Sequence, residues 1–229
     1  MKELHAIAAW IQQETSARRP RLDQTGVVMR TASVLLLLLP GREGPELLFE
    51  VRSSRLGWQP GDICFPGGRR ESSDLNFAAA AVREASEELG VPYKNIRLCG
   101  TLDFFAAHNG FMVYPFAGIW NPDNGAASSD CDADYKKWNY NKDEVADLFT
   151  VPLSWFLNNE PRIGTAHLQV TRKDDFPFEL VPHLDPHKDF HQEYPIYFYQ
   201  YGDKVIWGMT AAILHSFLDR FGKGLADFA

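Results

Sequence analysis

Glu84, Glu87 and Glu88 stand in the segment Arg83-Glu84-Ala85-Ser86-Glu87-Glu88-Leu89-Gly90-Val91. On an α-helix, residues at i, i+3 and i+4 share one face, so these carboxylates crowd within a single turn. Like charges that close repel one another, and a helix can tolerate them in two ways. Water can solvate them as an acidic face, which is the commoner arrangement when spacing alone is considered. Alternatively, they form an oxygen cage for a hard divalent cation such as Mg²⁺ or Mn²⁺. The neighbourhood favours the cage. An apolar run, Ile63-Cys64-Phe65, leads into Pro66-Gly67-Gly68 just before the helix. Paired glycines mark backbone in a tight turn or close to a ligand.

These residues must be held by a folded frame, and the composition supplies one. The 229 residues carry 23 Lys plus Arg against 30 Asp plus Glu, a formal charge of -7, which speaks against a dedicated nucleic-acid binder. With 45% hydrophobic residues and no linker-like stretch, one elaborated domain over 1–229 is expected, with a helical extension at about 1–20 and a polar insert at about 121–141. Val34 to Leu39 is the longest aliphatic run, too short to span a bilayer. The first residues lack the apolar core of a secretory signal, so a cytoplasmic address without membrane association is the default. Cys64, Cys99 and Cys131 are odd in number and widely spaced, which supports neither a disulfide framework nor structural zinc.

Ala32 to Leu39 and Glu46 to Val51 read as a hairpin around Pro40 to Gly44, and Ile63 to Phe65 as a third strand. Leu75 to Leu89 reads as a helix, with Ser73 or Asp74 able to cap its start and Gly90 followed by Pro92 as its stop. Arg97 to Phe105 and Phe111 to Trp120 read as strands. Asn121 to Asn141 has little power to build core, Pro161 to Tyr201 carries irregular β-like pieces broken by prolines, and Ala211 to Phe221 closes the chain as a helix. Interleaved strands and helices predict a layered α/β or α+β domain.

The segment from Gly68 to Val91 resembles the signature of the Nudix hydrolases, which cleave a nucleoside diphosphate linked to another group. That signature runs Gly, five residues, Glu, seven residues, then Arg-Glu-aliphatic-x-Glu-Glu-x-Gly-aliphatic. Its second half matches at Arg83, Glu84, Glu87, Glu88, Gly90 and Val91, with Ala85 in the aliphatic slot. The first half departs from it. Leu75 stands where counting back from Arg83 expects Glu, whereas counting forward from Gly68 reaches Asp74. This departure resembles the coenzyme A branch of the family, whose Gly-Gly loop carries two acids three apart, here Glu71 and Asp74. Leu47-Leu48, Arg52-Ser53, Gly61 and Phe65-Pro66-Gly67-Gly68 resemble that branch's upstream motif. Tyr114 to Gly118, Asp143 to Ala146 with Val151 to Leu153, and Ile206 to Thr210 look like its later landmarks.

The resemblance implies a Nudix-type α/β/α sandwich with a mixed β-sheet and metal-dependent hydrolysis of a nucleotide-type diphosphate. Coenzyme A or an acyl derivative is the leading substrate, giving 3′,5′-ADP and 4′-phosphopantetheine. An ADP-sugar or nucleoside triphosphate is the first alternative, and a binding module without turnover the second. Glu84, Glu87 and Glu88 are expected to ligate Mg²⁺ or Mn²⁺, with a backbone carbonyl at Gly67 or Gly68 completing the shell and one unassigned glutamate accepting the proton from attacking water. Arg83 is expected to orient a carboxylate. Arg52 and Arg55 are candidates for the phosphates, with a solvated surface pair as the alternative. Glu144 is a candidate further ligand or base, or else a helix cap with Asp143, and Asp74 a further candidate in the loop. The sequence leaves a homodimer open.

Other patterns are set aside. Asp130, Asp132 and Asp134 begin like a calcium loop, but Tyr135 stands where Gly is needed and Asn141 where Glu is needed. His183, His187 and His191 recur every four residues, yet Pro182 and Pro186 break the helix that a zinc site on this spacing requires. Gly-x-Ser-x-Gly, Walker and Gly-x-Gly-x-x-Gly motifs are absent from the sequence. Cys64 is read as a core thiol in an apolar strand.

Overall fold

A computed structural model describes residues 30–108, 110–121, 135–185 and 188–226. The expected helix at 1–20, the Asp130/Asp132/Asp134 run, Cys131 and His187 lie outside these residues. Strands β1 (Arg30–Gly41) and β2 (Gly44–Arg52) form the expected hairpin, with Gly41 opposite Gly44. β3 (Ile63–Cys64), β4 (Gly67–Gly68), β5 (Ile96–Thr101), β6 (Phe105–Ala106), β7 (Phe111–Trp120) and β8 (Val145–Pro152) complete one mixed sheet, in which β1 and β7 run parallel. β9 (Arg162–Val170), β10 (Phe190–Tyr201) and β11 (Lys204–Trp207) form a separate antiparallel sheet. The region expected to hold irregular β-like pieces thus holds two long regular strands, β9 and β10, whose described connection is irregular. Pro195 is tolerated in β10 because β11 pairs only from Phe198 onward, leaving that edge free of a ladder bond at the proline.

Helices α1 (Phe77–Leu89), α2 (Leu153–Asn158) and α3 (Gly208–Leu225) cover the main sheet from both faces. Side chains alternate along a strand. Leu35, Leu37 and Leu39 of β1 pack with Ala81, Ala85 and Leu89 of α1, while Leu36 packs with Leu47, Phe49, Phe156 of α2 and Leu214 of α3. The result is the α/β/α layering expected from the sequence. Among the described residues, no helix is long and apolar enough to cross a membrane.

Two local readings are corrected. Asn76, not Ser73 or Asp74, caps α1, its Oδ1 accepting the Ala79 N–H at 2.9 Å. The Asp74 carboxylate is drawn away by Arg83 and the Glu71 N–H. Replacing Asn76 by Ala is expected to cost about 1 kcal/mol, read as a lower denaturant midpoint at unchanged slope. Nor is the end of the insert inert. Tyr135, Trp138 and Tyr140 pack against the α1 side of the core, with Trp138 4.7 Å from Trp120. At the far end of α1, Gly90 adopts the expected left-handed stop, φ 66 and ψ 34. A Cβ there would collide with the Asn139 carbonyl, so glycine also lets this segment close over the helix end. The Asn141 N–H then donates to the Glu88 carbonyl at 2.8 Å.

Candidate active site

β1 and β2 pair only from Leu38 to Gly41, while β7 occupies the other edge of β1 and β8 the other edge of β2. Beyond Leu38 the hairpin splays, and the segment from Ile63 to Gly68 enters the gap. Glu50 and Val51 pair with Cys64 and Ile63, while Ser33 and Val34 pair with Gly68 and Gly67. This wedge places the glycine turn beneath α1. Gly67 adopts φ +153, and a Cβ on it would strike the Ser33 carbonyl and lie 2.7 Å from Val34 Cα. A Cβ on Gly68 would strike the Glu84 carboxylate. Both glycines therefore permit close approach, one of strand to strand and the other of carboxylate to backbone.

The carboxylates do not share one environment. Ala81, Ala85 and Glu88 form the buried stripe of α1, with Glu88 only 6% exposed. Glu88 accepts the Gly67 N–H at 2.7 Å. Burial and then the neighbouring Glu50 carboxylate push its proton affinity well above the usual carboxylate range, against the pull of the Gly67 N–H. Glu84 is partly buried, and burial raises it despite Arg83. Glu87 lies on the exposed shoulder, in an i,i+4 ion pair with Arg83 at 2.9 Å. Among the described residues, no three His, Cys, Asp or Glu side chains are gathered closely enough to hold a metal ion in this arrangement.

Arg83 organises the wall. Its guanidinium grips Asp74 in bidentate fashion at 2.9 and 3.0 Å and also reaches Glu84 at 2.9 Å and the Arg69 carbonyl at 3.1 Å. Asp74, 7% exposed, in turn accepts the Glu71 N–H at 2.8 Å, and the Arg83 hydrogen bond followed by that N–H holds its carboxyl below the usual range. Arg70 donates to the Asp74 carbonyl at 2.9 Å. Asp74 therefore ties the glycine loop to the helix.

Gly67, Gly68 and Arg69 line a cavity of about 860 Å³ between the two sheets, near the upper end of the range for small-molecule sites of about 300–1,000 Å³, while Arg83, Glu84, Glu87 and Glu88 lie outside its lining. Arg30, Arg52 and Arg69 line it, as do the apolar Phe65, Val113 and Ile213. Arg52 donates to the Trp58 carbonyl at 3.2 Å, and Trp58 stacks on Phe111 at 5.5 Å. Arg55 lies outside the cavity lining, in an exposed ion pair with Asp143, and Glu144 is exposed at the start of β8. Cys64, read as a core thiol, instead lines the cavity and is only partly buried. The wedge sets its neighbour Ile63 into the core and turns Cys64 out.

Glu50 was not visible as a functional residue from sequence. It is 2% exposed, and burial pushes it up to about 8, opposed by Arg52 and reinforced by Glu144 and Glu84. Its signal was one acid inside Leu47-Leu48-Phe49-Glu50-Val51. Strand alternation puts Glu50 on the face of Leu48, the face that α1 covers. Trp58 and Phe111 were likewise unassigned, since an aromatic in a turn or strand carries no specific signal.

The family model for the NUDIX domain matches residues 29–173, which include β1, the glycine turn and α1. A protein of Citrobacter koseri, the "Uncharacterized Nudix hydrolase NudL", is 32% identical over 204 residues, covering 89% of each chain. The protein of that name from Photorhabdus laumondii is 32% identical over 187 residues, covering 81% of this chain and 82% of its own. The crystal structure of a Nudix hydrolase from M. Smegmatis, RenU, superposes with a TM-score of 0.41 at 22% identity, covering 59% of this chain and 84% of that one. The helix-borne glutamates, the glycine turn they pack on and the match across well over half of the sequence lead to one family: the chain belongs to the Nudix hydrolases.

Proposed function

We propose that the chain hydrolyses the diphosphate bond of coenzyme A or an acyl derivative, giving 3′,5′-ADP and 4′-phosphopantetheine or its acyl form. The observation that carries this reading is the cavity, whose lining combines the cations Arg30, Arg52 and Arg69 with the apolar Phe65, Val113 and Ile213 and includes Gly67 and Gly68. A substrate with a polyanionic nucleotide and a long uncharged arm can use both kinds of lining. An ADP-sugar or a nucleoside triphosphate lacks that uncharged arm.

The donor set suits a divalent cation. Glu84, Glu87 and Glu88 offer hard carboxylate oxygens, and the missing Cβ of Gly68 lets the Glu84 carboxylate lie against the turn that carries the Gly68 carbonyl. These glutamates and the Gly68 carbonyl would hold Mg²⁺ or Mn²⁺, which when bound neutralises phosphate charge and lowers the pKa of a water. Glu88, fixed by the Gly67 N–H, presents its remaining oxygen beside the glycine turn, where one of the glutamates accepts the proton released by attacking water. Arg83 and Asp74 act by position, keeping Glu84 and the glycine loop in register. Arg52, which lines the cavity, is the guanidinium assigned to the phosphates in this reading. Arg55 is committed to Asp143, and Glu144 remains a candidate further ligand or base from its loop.

One assay tests the reading. Purified protein with Mg²⁺ or Mn²⁺ is offered coenzyme A, acyl-coenzyme A, ADP-ribose, NADH, diadenosine polyphosphates and nucleoside triphosphates, and products are resolved by mass. The expected result is preferential release of 3′,5′-ADP. Preferential cleavage of ADP-ribose or a triphosphate would overturn the substrate assignment, and ligand binding without any cleavage would overturn turnover itself.

A further inference from the structure

β2 holds a carboxylate that the chemistry described so far does not employ. Glu50 lies in an otherwise apolar strand, paired with Cys64 across the wedge. Among the described residues, its Oε1 has no hydrogen-bond partner, and its Oε2 lies 4.0 Å from the Cys64 thiol. Arg52 is the cation nearest in sequence, but its guanidinium is turned to the Trp58 carbonyl. A buried acid without partners is costly, and an apolar residue such as valine would not carry that cost.

The direction in which Glu50 points gives the cost a purpose. Leu48, two residues before it, packs with Ala81 and Ala85 of α1. Glu50 continues that face and Glu88 continues that helical stripe, so sheet and helix bring two buried carboxylates together. Glu84 and Glu144 add to the same negative field. A second buried oxygen without a partner, Ser33 Oγ, lies on the same face of β1, in register with Gly68. Unpartnered oxygens from two strands thus flank the glycine turn on the side where the helix presents its glutamates.

We infer that Glu50 is a further ligand of the divalent metal site, a carboxylate contributed by the central sheet opposite Glu84 and Glu88. The inference rests on the reading that these helix glutamates hold the metal. It gives the cation ligands on two elements, so that binding clamps α1 to β2 across the glycine turn. A cation there also offsets the mutual repulsion of Glu50 and Glu88.

The test is Mn²⁺ binding to the full chain by calorimetry or electron paramagnetic resonance, comparing wild type with Glu50→Gln, Glu50→Asp and Cys64→Ala. Glu50→Gln is expected to weaken Mn²⁺ binding about 10–100-fold. Glu50→Asp should recover part of the loss by restoring the charge, and Cys64→Ala should stay within about twofold of wild type. Metal-free Glu50→Gln should melt no lower than wild type, since it loses a desolvated acid and keeps its shape. Unchanged or tighter Mn²⁺ binding by Glu50→Gln would overturn the inference and leave Glu50 as a proton-sharing partner of Glu88. Should the variants not fold, anomalous scattering from Mn²⁺ in wild-type crystals decides. A Glu50 oxygen within about 2.0–2.2 Å of the ion supports the inference, and a Glu50 remote from an ion held by Glu84 and Glu88 overturns it. No Mn²⁺ bound at these helix glutamates at all would instead remove the reading beneath it.

Discussion

Glu88→Gln is expected to lower kcat by about 10³-fold or more at saturating Mg²⁺, with the fold intact. The buried face of α1 sets both halves of this expectation. The glutamine oxygen can still accept the Gly67 N–H that Glu88 accepts at 2.7 Å, so the turn keeps its contact with the helix. The substitution also removes a desolvated acid that faces Glu50, so Tm should hold or rise. What is lost is an anionic oxygen able to bind a cation or take a proton. Circular dichroism, thermal melting and turnover on one preparation check all three points. Wild-type kcat in Glu88→Gln would remove Glu88 from the chemistry.

Arg83→Ala is expected to damage stability and catalysis together. Arg83 holds Asp74, Glu84 and the Arg69 carbonyl at 2.9–3.1 Å and Glu87 at 2.9 Å. Its loss leaves Asp74 buried without its cation and frees Glu84 to repel its neighbours. Breaking one side of a buried ion pair is strongly destabilising, and the partial exposure of the Arg83 side chain, 23%, moderates the effect. A fall in Tm of about 5–10 °C follows for a chain of this size. Because the glycine loop loses its anchor, kcat should fall about 10²-fold while KM changes little. Arg83→Lys keeps the charge but not the fork and should recover part of the stability and little of kcat. An unchanged Tm in Arg83→Ala would show that the network does not bind loop to helix.

How legible this site was depends on whether each residue's signal is local. The glutamates of α1 announced themselves because helical spacing and the Gly90 stop are properties of a short segment. The glycine turn did so because paired glycines after an apolar strand have few other uses. The cap was misplaced for the opposite reason. Ser73, Asp74 and Asn76 are all competent, and the choice was made by Arg83, nine residues from Asp74 in sequence. Glu50 was hidden because a lone acid in a strand has no pattern, and its meaning comes from the helix that covers it. The β9–β10 ribbon was hidden by its prolines and by its exposure. Ile163, Val170 and Phe190 are all more than half exposed, so the strands show no clean alternation of buried and solvated positions. Trp138 was hidden in a polar segment whose scattered aromatics carry no period, and it finds Trp120 across the fold.

The parallel pairing of β1 with β7 bears on how the enzyme comes into being. β1 carries the glycine turn on one edge, while its other edge must wait for Phe111–Trp120, far along the chain. Parallel partners cannot be joined by a tight turn, and the entropy of closing so long a loop is met before any contact rewards it. A growing chain that has already made Gly67 to Val91 therefore holds every residue of the signature but not the sheet against which they are set. Synthesis must pass β7, and the sheet must close, before Ser33 and Glu50 can face α1 in register. Activity regained on refolding should follow this slow long-range closure and not the fast winding of α1.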